Sequence, residues 1–218
     1  MHTTTHTTHR NEAVVQAIAA LAAGELILIQ DDAGRENEGD LVGAASLATD
    51  RMVNFMVRHA RGLVCQPITP ATAQRLGLAP QVEINTESHG TAFTVSVDAA
   101  RGITTGISAA DRACTARIVA DPQSSSELLR RPGHMFPLVA RRGGVLERPG
   151  HTEASIDLVR LAGLPPSAII CEVLAEDGSM ARSNELAALA VDWKMPLISV
   201  QDIIEYRRWI GDHQEYTA

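Results

Sequence analysis

Aromatic residues make up only 3% of the 218-residue chain, so its core has to be built from Ala, Val, Leu and Ile. Cysteine is nearly as sparse. Cys65, Cys114 and Cys171 are odd in number, far apart and never in a Cys-x-x-Cys pair. That argues against a disulfide scaffold or a thiolate zinc site and fits a reducing, cytoplasmic compartment. No apolar run approaches membrane-spanning length, and the N-terminus lacks the basic-then-apolar order of a signal peptide, so no membrane is expected as a partner. Positive charge is short as well. A net charge of -7 argues against a broad nucleic-acid footprint, yet it leaves room for a small cationic pocket around a phosphate.

What is present is ordinary for a globular protein: 45% apolar and 21% charged residues, in a length that suits one sizeable domain. Residues 1–10 are almost all Thr and His and read as a solvated, disordered tail without a function; residues 11–218 read as one domain. Asn11 is an expected N-cap for an Ala-rich helix closing at Gly24. Strands are expected at 25–30, 40–45, 62–68, 91–98, 136–140, 168–174 and 197–200. Helices are expected at 50–60, 70–76, 109–119, 152–161 and 183–191, with one more at the C-terminus. Residues 121–133, polar and Pro-bearing, read as a loop or lid. The alternation predicts an α/β (mixed α+β) fold: a single-domain layered sandwich of a mixed sheet with flanking helices.

Four stretches carry chemistry. Asp31-Asp32-Ala33-Gly34-Arg35-Glu36-Asn37-Glu38-Gly39-Asp40 packs five acidic side chains and one Arg between two apolar strands. A solvated charged hairpin is one reading. The other is that carboxylates this dense repel one another until a cation such as Mg²⁺ or Mn²⁺ relieves them. In Arg148-Pro149-Gly150-His151-Thr152-Glu153, Thr152 is a natural N-cap, and the first-turn amides with Arg148 make a compact anion site. His151 is placed there to reach a metal or to move a proton. Arg131-Pro132-Gly133-His134 repeats the Pro-Gly-His pattern, setting a second imidazole after a turn. Gly102 to Arg112 brings small hydroxyl residues to a helix start, as a polyol contact or simply a turn with a Ser108/Asp111 capping box. Glu172 interrupts the apolar run 169–174, and Cys65 reads as a packed thiol rather than a nucleophile.

Taken together, the stretches at 31–40, 102–112, 131–138, 143–154 and 171–182 resemble the 3,4-dihydroxy-2-butanone 4-phosphate synthases of riboflavin biosynthesis, in the family's order from residue 11 onward. The resemblance implies conversion of D-ribulose 5-phosphate to L-3,4-dihydroxy-2-butanone 4-phosphate and formate. It implies Mg²⁺ (or Mn²⁺), two ions per site, no organic cofactor, and a homodimer with composite sites at the interface. Carried over, Glu36 and His151 are metal ligands. Arg35, Glu36, Asp40, Glu172 and the run Arg148, Pro149, Gly150, His151 and Thr152 hold the substrate. His134 and Glu172 fall at catalytically essential positions, Glu38 or Asp40 serves a proton transfer near the metals, and Cys65 matches a pocket position. Ala33 departs from the usual acidic residue, and the loop Glu87 to Thr91 is variable and without an assigned role. Lacking a cysteine-rich zinc motif of GTP cyclohydrolase II type, the chain is expected to be the single-function form. The competing readings are a non-catalytic sugar-phosphate binder and another metal-dependent ketose-phosphate isomerase or epimerase; formate release separates them.

Overall fold

The computed structural model describes residues 3–216. The expected layered sandwich is borne out. Seven strands form one sheet: β1 (Ile27–Gln30), β2 (Gly39–Ala44), β3 (Cys65–Ile68), β4 (Val97–Ala99), β5 (Leu129–Val139), β6 (Ala168–Glu172) and β7 (Leu197–Ser199). Their order is β4-β5-β3-β6-β2-β1-β7, with β3–β5 and β1–β7 parallel and the other pairs antiparallel. Helices cover both faces: α1 (Thr3–Ala22), α5 (His151–Leu161) and α7 (Val200–Trp209) on one, α2 (Asp50–Phe55), α4 (Ala109–Ala120) and α6 (Ser183–Trp193) on the other, beside the short α3 (Pro70–Arg75).

Successive side chains of a strand point to opposite faces, and the cores follow that rule. Leu28, Leu41, Ile169 and Cys171 join the α2/α4/α6 core, whereas Ile27, Ile29, Val42, Ala168 and Ile170 join the α1/α5/α7 core. The ladder sets Asp40 opposite Glu172, so both carboxylates close the α5-facing row of their strands. Among the described residues no helix is long and apolar enough to cross a membrane.

Several expected boundaries shift for identifiable reasons. α1 begins at Thr3 rather than at Asn11, taking in most of the stretch read as a disordered tail. Once a helix is nucleated, each further residue adds a hydrogen bond, and Arg10 is pinned to Glu205 of α7 at 3.0 Å. The expected helix 50–60 changes to π-helical winding over Met56–Ala60 and is stopped by Arg61 in the left-handed region (φ 72°). The expected strand 91–98 shrinks to β4. The loop-or-lid reading of 121–133 fails at its second half, because β5 already starts at Leu129. Pro132 and Gly133 look like breakers, but this part of the strand pairs with β4 across a register shift, and a Cβ on Gly133 would meet Val97 backbone at 2.1 Å. Gly150, not Thr152, is the N-cap of α5.

The junction of α5, α7 and the C-terminal segment is held by a buried ion pair. Arg207 and Asp157, both side chains 0% exposed, meet at 2.9 Å. Tyr216 donates its hydroxyl to Asp157 at 2.6 Å, and Arg207 also donates to the carbonyls of Gly143 and Gln214, each at 2.9 Å. Removing the cation strands a desolvated carboxylate, so Arg207→Met is expected to lower unfolding stability by about 3–5 kcal/mol. Urea unfolding measures this, and a loss below 1 kcal/mol would contradict it.

Candidate active site

The acidic loop between β1 and β2 is built by Asp31. Its buried carboxylate accepts the amides of Glu36 (3.0 Å) and Glu38 (2.8 Å) and the guanidinium of Arg35 (2.9 Å). Asn37 supplies the left-handed residue (φ 55°) of the turn, and Arg182 of the α6 N-cap donates to the carbonyls of Glu36 and Asn37. With its own backbone thus fixed, the loop turns Glu36, Glu38 and Arg35 into a cavity of about 210 Å³. Asp40 and Glu172 reach the same cavity from β2 and β6, His151 and Thr152 from the first turn of α5, and Arg148 from the segment before it. Glu172 is steadied by the amide of Leu63 at 2.9 Å. The neighbouring Gly62 leaves it no slack, since a Cβ there would lie 2.6 Å from the carboxylate and 2.4 Å from the Glu172 carbonyl.

Electrostatics sets these groups apart. Glu36 is held down at about 2, chiefly by His151 and then, against the pull of burial, by Arg35. The His151 ring lies 3.7 Å from Glu36. Burial works against its charge, but Asp40, Glu36 and Asp31 outweigh burial and raise it to about 9. Asp40 moves the other way, to about 7, because burial and then the carboxylates Glu172, Glu36 and Glu38 disfavour a further negative charge. Glu38 is raised by burial and by Glu36. Cys65 lines the cavity, but burial and then Glu172 push its thiol well up, which makes it a packing group rather than a nucleophile.

This arrangement suits a divalent cation. Asp31, Glu36 and His151 bring ligand-type atoms within 4.8 Å of one another. Asp31 is already committed to the loop amides, whereas the buried Nε2 of His151 has no hydrogen-bond partner. A divalent cation would take the place of the proton that the nearby carboxylates hold on the ring, so that the imidazole and the ionised Glu36 would bind it together, and Mg²⁺ keeps several of its other positions for water or substrate. Among the described residues the pair Glu36 and His151 fits; Asp31, not singled out from the sequence, shapes it.

Arg148 lies at the cavity edge. It pairs with the buried Glu153 at 2.6 Å and donates to the His89 carbonyl and the Thr91 hydroxyl. Gly150 is packed between the guanidinium groups of Arg148 and Arg35, which a Cβ would approach to 2.4 and 3.1 Å. Two cations over the amide end of α5 make an anion-receptive corner.

His134 is not brought into this cavity. It lies within β5, not after a turn, four residues from cavity-lining Leu138 and hence about 13 Å along the strand. Its Nδ1 meets Asp98 at 2.7 Å, and its amide donates to the same carboxylate at 2.9 Å. Gly106 of the 102–112 stretch packs on this pair. Asp111 completes only half of the expected capping box: its amide donates to Ser108, but its carboxylate turns back to the Thr104 hydroxyl (2.6 Å) and the Gly106 amide (3.1 Å). The 102–112 stretch therefore belongs with His134, not with the cavity of its own chain. Asp31 stood in the acidic stretch without a role of its own, and the cavity-lining residues not picked out as such from the sequence are Glu87, Thr91, Phe93, Leu138 and Ile170. The 91–98 alternation did place Thr91 and Phe93 on one side, which was the available signal for those two.

Comparison with known proteins converges on one family. The sequence model described as 3,4-dihydroxy-2-butanone 4-phosphate synthase matches residues 15–206. The riboflavin biosynthesis protein RibBA of Mycobacterium avium is 50% identical over 211 residues, covering 96% of this chain and 50% of the relative. That of Nocardia farcinica is 51% identical over 201 residues, covering 91% and 49%. The chain thus spans about half the length of the curated relatives it matches. A crystal structure of 3,4-dihydroxy-2-butanone 4-phosphate synthase in complex with two magnesium ions superimposes with a TM-score of 0.87 at 41% identity, covering 92% of this chain and 98% of that one. The two-domain RibBX synthase of A. baumannii gives 0.86 at 43%, covering 89% and 57%.

Proposed function

Because this chain belongs to the 3,4-dihydroxy-2-butanone 4-phosphate synthase family, we propose that it converts D-ribulose 5-phosphate into L-3,4-dihydroxy-2-butanone 4-phosphate and formate, a step of riboflavin biosynthesis. The observation that carries this reading is the convergence of Glu36, Glu38, Asp40, Glu172 and His151 on one cavity with Arg148 at its edge. A binder of sugar phosphates needs the arginine; it has no use for four carboxylates in such different electrostatic surroundings.

Glu36 and His151 would hold the divalent cation, Mg²⁺ or Mn²⁺, with two ions per site; that a relative's structure is in complex with two magnesium ions supports this reading. Once bound, it would polarise the ketose carbonyl and offset developing negative charge. Arg148, Arg35 and the first amides of α5, with Thr152, anchor the phosphate and so hold the reacting carbons in place from a distance. Asp40, near neutrality in its proton affinity, suits a group that takes a proton from carbon and returns it; Glu38 is the other candidate. Glu172, fixed by the Leu63 amide, lines the same cavity. The reaction balances: the water lost after enolisation is returned when the excised carbon leaves as formate.

His134 completes the site from a second copy of the chain. Its distance from its own cavity and its 42% exposure support a homodimer in which each subunit lends the other an imidazole, held in one tautomer by Asp98. The free cysteines support a reducing, cytoplasmic setting.

Purified protein given ribulose 5-phosphate and Mg²⁺ and followed by carbon NMR is expected to release formate in equal amount with the four-carbon phosphate. Binding without product would identify a binder; a pentose phosphate without formate would identify an isomerase or epimerase.

A further inference from the structure

The loop at residues 85–91, which the sequence left without a role, is tightly organised around one side chain. Glu87 accepts the amides of His89 (3.0 Å) and Thr91 (2.7 Å) and the hydroxyl of Ser88 (3.0 Å). Asn85 closes the turn by donating to the Thr91 carbonyl at 2.9 Å and accepting the Glu87 amide at 2.9 Å. Gly90 supplies the left-handed residue (φ 68°). Burial opposes the charge on Glu87, yet the Thr91 and His89 amides prevail and hold it at about 2, so the loop is folded around a carboxylate at any working pH.

Folded in this way, the loop presents two acceptors to one cation. Arg148 donates from Nε and Nη2 to the His89 carbonyl (3.4 and 3.2 Å) and from Nη2 to the Thr91 hydroxyl (3.1 Å). Its opposite edge, Nη1, is held by Glu153 at 2.6 Å. The guanidinium is clamped along both edges, and Thr91 itself lines the cavity. An arginine fixed before its anion arrives loses less side-chain freedom on binding.

We infer that Glu87 is a positioning residue for the phosphate arginine: without touching Arg148, it folds the loop whose His89 carbonyl and Thr91 hydroxyl aim that guanidinium into the cavity. This rests on Arg148 being the phosphate anchor of the function proposed above.

The test compares wild type, Glu87→Gln, Glu87→Ala, Arg148→Ala and the Glu87→Ala/Arg148→Ala double variant. Calorimetry measures the binding of inorganic phosphate, and steady-state kinetics follow ribulose 5-phosphate. In Glu87→Ala, the Kd for phosphate and the KM are expected to rise about tenfold, as when hydrogen bonds to a charged group are lost, with kcat within about threefold. Glu87→Gln, which keeps a carbonyl acceptor, recovers part of that loss. In the Arg148→Ala background the Glu87 change adds nothing, because the two act as one unit. A merely structural role would instead lower stability and kcat/KM alike in both backgrounds. The inference is overturned by phosphate binding that is absent in wild type, by binding that is unchanged or tighter in Glu87→Ala, or by an undiminished Glu87 effect without Arg148. A wild type that binds phosphate through Glu87 and Arg148 yet releases no formate defeats the activity reading and leaves this one standing.

Discussion

Glu36→Gln is expected to reduce kcat by at least about 10³-fold, the scale of losing a metal ion's charge stabilisation at the reacting carbonyl. The amide keeps the volume of the carboxylate and can still accept from Arg35, but it carries no charge toward a cation. The loop itself does not depend on Glu36: its turn hangs on Asp31, which receives the Glu36 and Glu38 amides and the Arg35 guanidinium. Folding should therefore survive, with Tm within about 3 °C of wild type, the shift that a destabilisation of about 1 kcal/mol brings in a chain of this length. Removing one charge from a cavity that also holds Glu38, Asp40 and Glu172 relieves repulsion, so a small rise in Tm would fit equally well. The decisive measurements are kcat and a Mg²⁺ titration on the same preparation. If Glu36→Gln keeps a tenth of the activity at ordinary Mg²⁺, the metal assignment is wrong. His151→Ala is expected to behave in the same direction.

The second large effect is a gain. Glu36→Gln and His134→Ala should each be inactive as pure proteins, yet mixing them and allowing subunits to exchange is expected to restore about a quarter of wild-type activity. Half of the dimers formed at random carry one subunit of each kind. If, as proposed, the cavity with Glu36 and the imidazole of His134 come from different chains, one site in those dimers receives both lesions and the other neither. The geometry behind this is the placement of His134 about 13 Å down β5 from Leu138, turned to Asp98 rather than to the acids. Exchange can be forced by brief dilution in mild denaturant, and sedimentation of the mixture checks that dimers re-form. Activity that stays at the level of the separate variants would mean that each chain works alone.

The sequence was most legible where pattern and chemistry coincide. The run 25–30 ahead of the acidic loop and the run 40–45 behind it read as strands because buried central strands are continuously apolar, and a charged decapeptide between them has to emerge at a sheet end. Glu172 stood out as a carboxylate inside an apolar strand. The misread segment, 129–133, has the opposite character: two arginines, a proline and a glycine disguise a strand whose partner β4 is only three residues long. Asp31 and Glu87 were seen but left without a role of their own, for another reason. Both work by accepting backbone amides in a loop, and that depends on how the chain folds back on itself, which no side-chain spacing records. His134 stood out in a repeated Pro-Gly-His pattern, but that pattern does not record that the fold sets it about 13 Å down β5 from Leu138 and against Asp98.

The register that sets Asp40 across from Glu172 has a consequence for how this site can change over time. Sliding β2 by a single residue would send its apolar side chains to the wrong layer and would also swing Asp40 away from α5 into oily surroundings. The acids of the cavity are thus aimed by the same alternation that sorts leucines and isoleucines between the two layers. Mutations that loosen this sorting would disarm the site before they unfold the protein, so purifying selection on activity would also guard the hydrophobic pattern of these two strands.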